Sequence, residues 1–145
     1  MSVLLSYRKA TIEDLAFLLQ LRKASMTKHL EAAGLFLSDK EHLERIKEHF
    51  NDSQLILLNN KAIGLLKLGI MKERLHIRQF QLLPKYQGKG IGYQVLSSLI
   101  AKAKKRNLPI TLNVLLANPA QALYQRVGFK VIGKNELEYQ MCYRH

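Results

Sequence analysis

Apolar positions along the chain fall into segments with two different periods. Leu4–Arg8 reads as a short first strand. The helical period then takes over, with Ile12, Leu15, Leu18 and Leu19 on one face and Gly34 as the stop. Thr11 stands as N-cap, with Glu13 and Asp14 in the first turn, where the helix dipole favours acids. Ser38, with Glu41 three residues on, forms a capping box for a second helix whose apolar face is Leu43, Ile46 and Phe50. Leu55–Leu58, an Asn59-Asn60 turn and Ala62–Ile70 predict a hairpin, and an extended segment Leu75–Leu83 follows, ended by Pro84. From Gly90 to Arg106 the period is helical again, with Ile91, Val95, Leu96, Leu99 and Ala103 on one face. Ile110–Leu115 alternates apolar Ile110, Leu112 and Val114 with Thr111 and Asn113, as a strand does. Asn118 and Pro119 open a last helix that runs to Val127 and stops at Gly128. Phe129–Ile132 and Leu137–Tyr143 read as two closing strands. The predicted order is β-α-α-β-β-β-α-β-α-β-β, an α/β (α+β) fold with a mixed sheet and helices.

Composition narrows the class. The chain has 145 residues, about one domain's worth, and three prolines; no Gly/Ser-rich linker or repeat divides it, so one domain is expected over 1–145. Hydrophobic residues make up 48% and charged residues 23%, enough apolar surface to offset the entropy of ordering a chain, which excludes intrinsic disorder. The single cysteine, Cys142, rules out a disulfide scaffold and is expected as a buried thiol in the last strand. His29, His42, His49, His76 and His145 show no metal-ligand spacing, so no metal is expected. No apolar run approaches the ~20 residues of a membrane span, and the N-terminus lacks a signal-peptide pattern. A cytoplasmic protein without a membrane partner is the expectation.

The most informative stretch is Leu82-Leu83-Pro84-Lys85-Tyr86-Gln87-Gly88-Lys89-Gly90-Ile91-Gly92-Tyr93, which joins a strand to the long helix. Three glycines on alternate residues let backbone N–H groups converge, and the helix dipole adds positive charge at the same place. The product is an anion site suited to a phosphate or pyrophosphate. The phosphate-loop pattern G-x-x-x-x-G-K-[ST] is absent, and the dinucleotide pattern G-x-G-x-x-G fails at Tyr93. Residues 107–117 also hold no acid to contact a ribose. Charge agrees with an anionic ligand: residues 71–106 carry nine Lys or Arg against Glu73 alone, within a chain of net charge +12. Lys102, Lys104, Lys105 and Arg106 have an ordinary alternative role at a solvated helix end.

On these residues the chain resembles the GNAT superfamily of acyl-CoA-dependent N-acyltransferases. The family's Gln/Arg-x-x-Gly-x-Gly/Ala pattern stands here as Gln87-Gly88-Lys89-Gly90-Ile91-Gly92. A second block, Asn118-Pro119-Ala120-Gln121-Ala122-Leu123-Tyr124-Gln125-Arg126-Val127-Gly128-Phe129, resembles the family's N-x-x-A-x-x-x-Tyr-x-x-x-Gly-Phe run. The element order matches along essentially the whole chain. The resemblance implies a GNAT-like, mostly antiparallel central sheet splayed at the cofactor site, with acetyl-CoA as acyl donor. It implies that Gln87, Gly88, Lys89, Gly90, Ile91 and Gly92 surround the pyrophosphate, chiefly through backbone N–H groups. Leu82 and Leu83 would pair with the pantetheine amides by strand addition, and Asn118 would hydrogen-bond the same arm.

The chemistry of transfer assigns the remaining roles. An alkyl amine, pKa near ~10.4, is mostly protonated at neutral pH and must lose a proton to attack a thioester. The departing thiolate, pKa roughly 8.5, benefits from a proton donor, for which a tyrosine near ~10 suffices. By placement and family match Tyr124 is the candidate acid. Many relatives carry an acid on the strand before the glycine turn, where this chain has Arg78; His76, two residues earlier, is the candidate base, with a water relay or no dedicated base as its rivals. Arg78 is then free to hold an acidic group on the acceptor. Residues 31–52 carry six acids against three bases, which predicts attraction of a cationic amine to the acceptor side. Two rival functions stand beside this N-acetyltransferase: a catalytically silent acyl-CoA sensor, given Arg78, and a nucleic-acid-binding module, given the net charge and a pI of 10.0. No nucleic-acid-binding motif accompanies the charge, so a nucleic-acid partner is not expected; the acceptor's identity and a homodimer are left open.

Overall fold

The computed structural model describes residues 3–145. Seven strands form one sheet: β1 (Leu5–Lys9), β2 (Ser53–Leu58), β3 (Lys61–Ile70), β4 (Leu75–Leu82), β5 (Ile110–Leu115), β6 (Lys130–Lys134) and β7 (Glu138–Tyr143). Four helices accompany them: α1 (Leu15–Ala32), α2 (Asp39–Lys47), α3 (Ile91–Lys105) and α4 (Ala120–Val127). The strand order is β1-β2-β3-β4-β5-β7-β6, antiparallel throughout except between β4 and β5. This is the mixed α/β architecture, mostly antiparallel, that the pattern and the resemblance lead one to expect.

The local signals explain most boundaries. Ser38 Oγ accepts the Glu41 N–H at 3.2 Å, and Glu41 Oε1 accepts the Ser38 N–H at 3.0 Å, closing the capping box. Gly34, at φ +82°, lets the Leu35 N–H turn back to the Leu30 carbonyl at 2.8 Å and end α1. The chain's first helical turn departs from expectation. Residues Ile12–Asp14 form a separate 3₁₀ turn, and Ile12 is 74% exposed rather than on the buried face. Phe50 likewise lies beyond α2, in a second 3₁₀ turn. Arg8 donates to both Asp14 carboxylate oxygens at 2.8 Å, and the Thr11 N–H adds a third bond, so this corner is held by charge rather than by apolar packing.

Two apolar layers sandwich the sheet. One joins α3 to Ile56, Ile63, Leu66, Ile77, Leu112 and Met141; the other joins α1 and α2 to Leu55 and Leu65. Cys142 is a buried free thiol in β7, as expected. Two features of β4 open the sheet. Its parallel pairing to β5 covers only Leu75, His76 and Ile77, opposite Ile110, Thr111 and Leu112. Beyond that the strands part. On the other edge Lys67 pairs with Gln79 but Leu68 pairs with Ile77, so Arg78 is the extra residue of a β-bulge. The sheet is thus splayed along the C-terminal half of β4.

Candidate functional site

The chain leaves β4 through a 3₁₀ turn, Pro84–Tyr86, and enters α3 through the glycines. Gly88 and Gly90 have φ of +69° and +84°, the left-handed region that an L side chain rarely adopts. A Cβ at either would meet nothing, so the need for glycine there is conformational. Gly90 is the N-cap of α3, and its carbonyl accepts the Gln94 N–H at 3.0 Å. The preceding N–H groups of Ile91, Gly92 and Tyr93 are the free donors of a helix N-terminus. Gly92 has a different reason. It is buried within α3, and a Cβ there would lie 2.8 Å from Leu123 Cδ2 of α4. The third glycine therefore brings two helices together, whereas the sequence pattern alone assigned all three to the turn.

The other predicted residues of this turn divide by what they offer. The Gln87 side chain straps the turn to the strand, Nε2 donating to the Leu82 carbonyl at 2.9 Å. Both backbone groups of Leu83 have partners: its N–H donates to Ile63 at 2.9 Å, and its carbonyl accepts from Tyr86 at 2.8 Å. Ile91 is buried in the core, and Lys89 is exposed. A cavity of about 640 Å³ opens beside the turn, walled by Leu82, Gln87, Gly88, Gly90 and Gly92. Tyr93 and Arg126 also line it, with the guanidinium 5.8 Å from the Tyr93 ring centre. Arg126 adds positive charge that the sequence analysis did not assign to the site. The basic cluster Lys102–Arg106 lies at the other end of α3, as a solvated helix end.

Asn118 stands at the same wall. Its Oδ1 accepts the Ala120 N–H at 2.9 Å, so it caps α4, which begins at Ala120. Tyr124 is buried one turn further on, edge-to-face with Phe129 at 5.8 Å. Burial pushes its phenol pKa up, because the dry surroundings disfavour the phenolate.

A second cavity, about 490 Å³, lies between α1, the end of α2 and the splayed strands. It contains the other candidate, His76, half-buried, with Nδ1 2.7 Å from Thr111 Oγ1. Burial lowers the His76 pKa, and Arg74 and Arg78 add to the effect, so the imidazole is neutral at pH 7. Arg78 is engaged within the protein: Nε donates to Asp52 Oδ2 at 3.0 Å, and its guanidinium fills the space beside Gly69, where a Cβ would sit 2.8 Å away. The two cavities share Met26, Phe80, Gln81, Asn118 and Tyr124 in their walls. Tyr124 and Asn118 thus stand where one cavity meets the other.

The acidic stretch does not form the wall expected of it. Asp39 pairs with Lys23 at 2.8 Å, Glu48 approaches Arg45 at 3.8 Å, Asp52 holds Arg78, and Glu41 is engaged in the capping box. Of the six acids only Glu48 lines the second cavity, where Arg22, Arg45, Lys67 and Arg78 outnumber Glu48 and Glu138. Sequence reasoning missed Arg22 and Lys67. Lys67 was legible as the one charged residue in the apolar run from Ile63 to Gly69. Among the described residues no group of three or more His, Cys, Asp or Glu is arranged to hold a metal, and no helix is long and apolar enough to cross a membrane.

A turn of free N–H groups at a splayed sheet, followed by a capped helix carrying a buried tyrosine, defines a class. Residues 15–129 match the model of the Acetyltransferase (GNAT) family, and the chain belongs to that family. Among individual proteins, it is 30% identical over 78 residues to the ribosomal protein bS18-alanine N-acetyltransferase of Haemophilus influenzae. That match covers 53% of each protein, so the chain spans about half the length of this curated relative. Its fold is similar to that of the PaiA N-acetyltransferase of Thermoplasma acidophilum, solved in complex with coenzyme A (TM-score 0.74, 22% identity, 99% of this chain and 100% of that one). It is also similar to an acetyltransferase of Thermus thermophilus (TM-score 0.78, 19% identity, 98% of both chains).

Proposed function

We propose that the chain is an acetyl-CoA-dependent N-acetyltransferase that moves the acetyl group directly to a primary amine. The observation that carries the reading is the meeting of two cavities at Tyr124 and Asn118, one bordered by the glycine turn and the other open to a second reactant. In this reading the N–H groups from Gly88 to Gly92 and the Arg126 guanidinium hold the pyrophosphate. The edge of β4 released after Ile77 pairs with the pantetheine arm, and Asn118 orients it. The acceptor nitrogen attacks the thioester carbon and the carbon–sulfur bond breaks. Tyr124 gives its phenolic proton to the departing sulfur, and the neutral His76 imidazole takes the proton shed by the nitrogen. Burial keeps the Tyr124 phenol protonated at neutral pH and at the same time makes it a weaker acid than a free tyrosine. The reading takes 1–145 as one catalytic domain working in the cytoplasm.

Thiol release from acetyl-CoA over a panel of small amines and peptide N-termini tests it. Release matched by acetylated amine is the expected result. Binding of acetyl-CoA with no release from any amine would instead favour a silent acyl-CoA sensor. That second reading has one observation behind it: Arg78, in ion pair with Asp52, occupies the strand position where many relatives carry an acid.

A further inference from the structure

The second cavity holds two buried cations with no direct carboxylate partner among the described residues, Glu48 acting on both only from a distance. Arg22, in the middle of α1, is 7% exposed, and Lys67, in β3, is 1% exposed. Neither has a carboxylate within 4.0 Å among the described residues. Lys67 has a structural role: its Nζ donates to the carbonyls of Arg45, Ile46 and Glu48 at 3.3, 2.8 and 2.7 Å, capping the end of α2. All three of its donors are thereby used. Arg22 is different. Its Nε donates to His42 Nδ1 at 3.1 Å, while its two terminal nitrogens, which carry four N–H donors, have no partner among the described residues. These terminal nitrogens are not among the fully buried polar atoms left without a partner, so the fork opens onto the cavity and is accessible to an anion there. The pKa of each group is pushed down, Arg22 to about 10 and Lys67 to about 8, chiefly by burial, and for Lys67 also by Arg22.

We infer that Arg22 is a receptor for a carboxylate on the acceptor, so that the substrate class is a small amino-carboxylate, a molecule carrying a primary amine and a carboxylate a few bonds apart. The inference rests on the acyltransfer reading for the amine and adds the carboxylate. Three further observations agree with it. Met26 follows Arg22 by four residues, about 6 Å along α1, and lies in the wall where the two cavities meet. A carboxylate on Arg22 therefore leaves the amine about one helical turn away, toward Tyr124. The other two arginines of the cavity already have protein partners, Arg45 with Glu48 and Arg78 with Asp52. The planar fork of Arg22 suits two parallel bonds to a carboxylate, a geometry that neither an amide nor a cation can satisfy. The same cationic wall disfavours the ammonium form of the acceptor, which helps deliver a neutral nitrogen for attack.

The test compares matched acceptors on the full chain with acetyl-CoA: common amino acids, β-alanine and γ-aminobutyrate, each against its carboxamide and its decarboxylated amine. The expected result is that the preferred amino acid exceeds both analogues in kcat/KM by roughly 10- to 100-fold. In Arg22→Met the ratio of acid to carboxamide falls to near one, through a rise in KM for the acid. That ratio is internal to each variant and so does not depend on the fraction folded. Binding is read separately, as the rise in Tm produced by the amino acid in wild type and its loss in Arg22→Met. Analogues that match the acids, or a ratio unchanged in Arg22→Met, would overturn the inference. If no amine is acetylated at all, the acyltransfer reading fails, and the Tm shift alone decides the anion site: a shift abolished in Arg22→Met sustains it, and no shift with any amino acid removes it.

Discussion

At the scale of single residues the proposed mechanism rests on Tyr124 and His76, and each has its own consequence. Tyr124→Phe keeps the ring, its edge-on packing with Phe129 and the cavity wall, and removes only the hydroxyl with its proton. Turnover is expected to fall about 100-fold or more, with acetyl-CoA affinity by calorimetry nearly unchanged; equal turnover would take the acid role from Tyr124. For His76 the folded pKa lies below the ordinary histidine value of ~6.5, so the neutral form persists to lower pH. The acid limb of kcat/KM is therefore expected below that value, and His76→Asn is expected to abolish the limb. A limb that stays in the variant would assign the base elsewhere. Tyr124 and Asn118 were legible because they belong to a compact block whose spacing one helix turn enforces. Arg22 was not, because its neighbours come from α2, β3 and the splayed end of β4, far apart in sequence, and Lys67 stood out only as a charge in an apolar run, with nothing local to show what it faces.

Between elements, the site depends on close approaches rather than on any one side chain. A Cβ at Gly64 in β3 would run into the backbone carbonyl of Gln81, across from the end of β4. Backbone cannot swing aside as a side chain can. Gly64→Ala is expected to cost about 2 kcal/mol or more, read as a lower denaturant midpoint, and to weaken acetyl-CoA binding because β4 shifts with it. An unchanged midpoint would show that the strands part freely. The elements themselves were well marked: the capping box at Ser38, the stop at Gly34 and the alternation in Ile110–Leu115 all stand in the structure. The bulge at Arg78 had no local signal. It is a property of pairing with β3, and it separates Arg78 from the regular alternation on which parity arguments about β4 depend.

For the molecule as a whole, strand order could not be read from periodicity. Placing β5 parallel beside β4, and β7 between β5 and β6, is a matter of non-local pairing, and only the family resemblance implied a splayed sheet. The position of the charge was also hidden. Much of the excess sits at the solvated end of α3, while the consequential cations are the few buried near α1. Stability carries a pH signature from the β1–α1 corner. Arg8 and the Thr11 N–H hold the Asp14 carboxyl down to about 2, below its unfolded ~3.9. The contribution is thus complete above ~3.9 and is lost as pH falls toward 2. Asp14→Asn is expected to cost about 1–2 kcal/mol at neutral pH and to flatten this acid-side dependence in urea titrations. An unaltered slope would show that the corner does not govern it.

Cofactor capture by the glycine turn is tested most directly by calorimetric titration of the full chain with acetyl-CoA, beside the variant Gly90→Asp. Gly90 is in the left-handed region at φ +84°, and the aspartate would add strain and a carboxylate where phosphate is to be held. Saturable one-to-one binding by the wild type, and none by a variant that still folds, is the predicted result. No binding by the wild type, or undiminished binding by the variant, would contradict it.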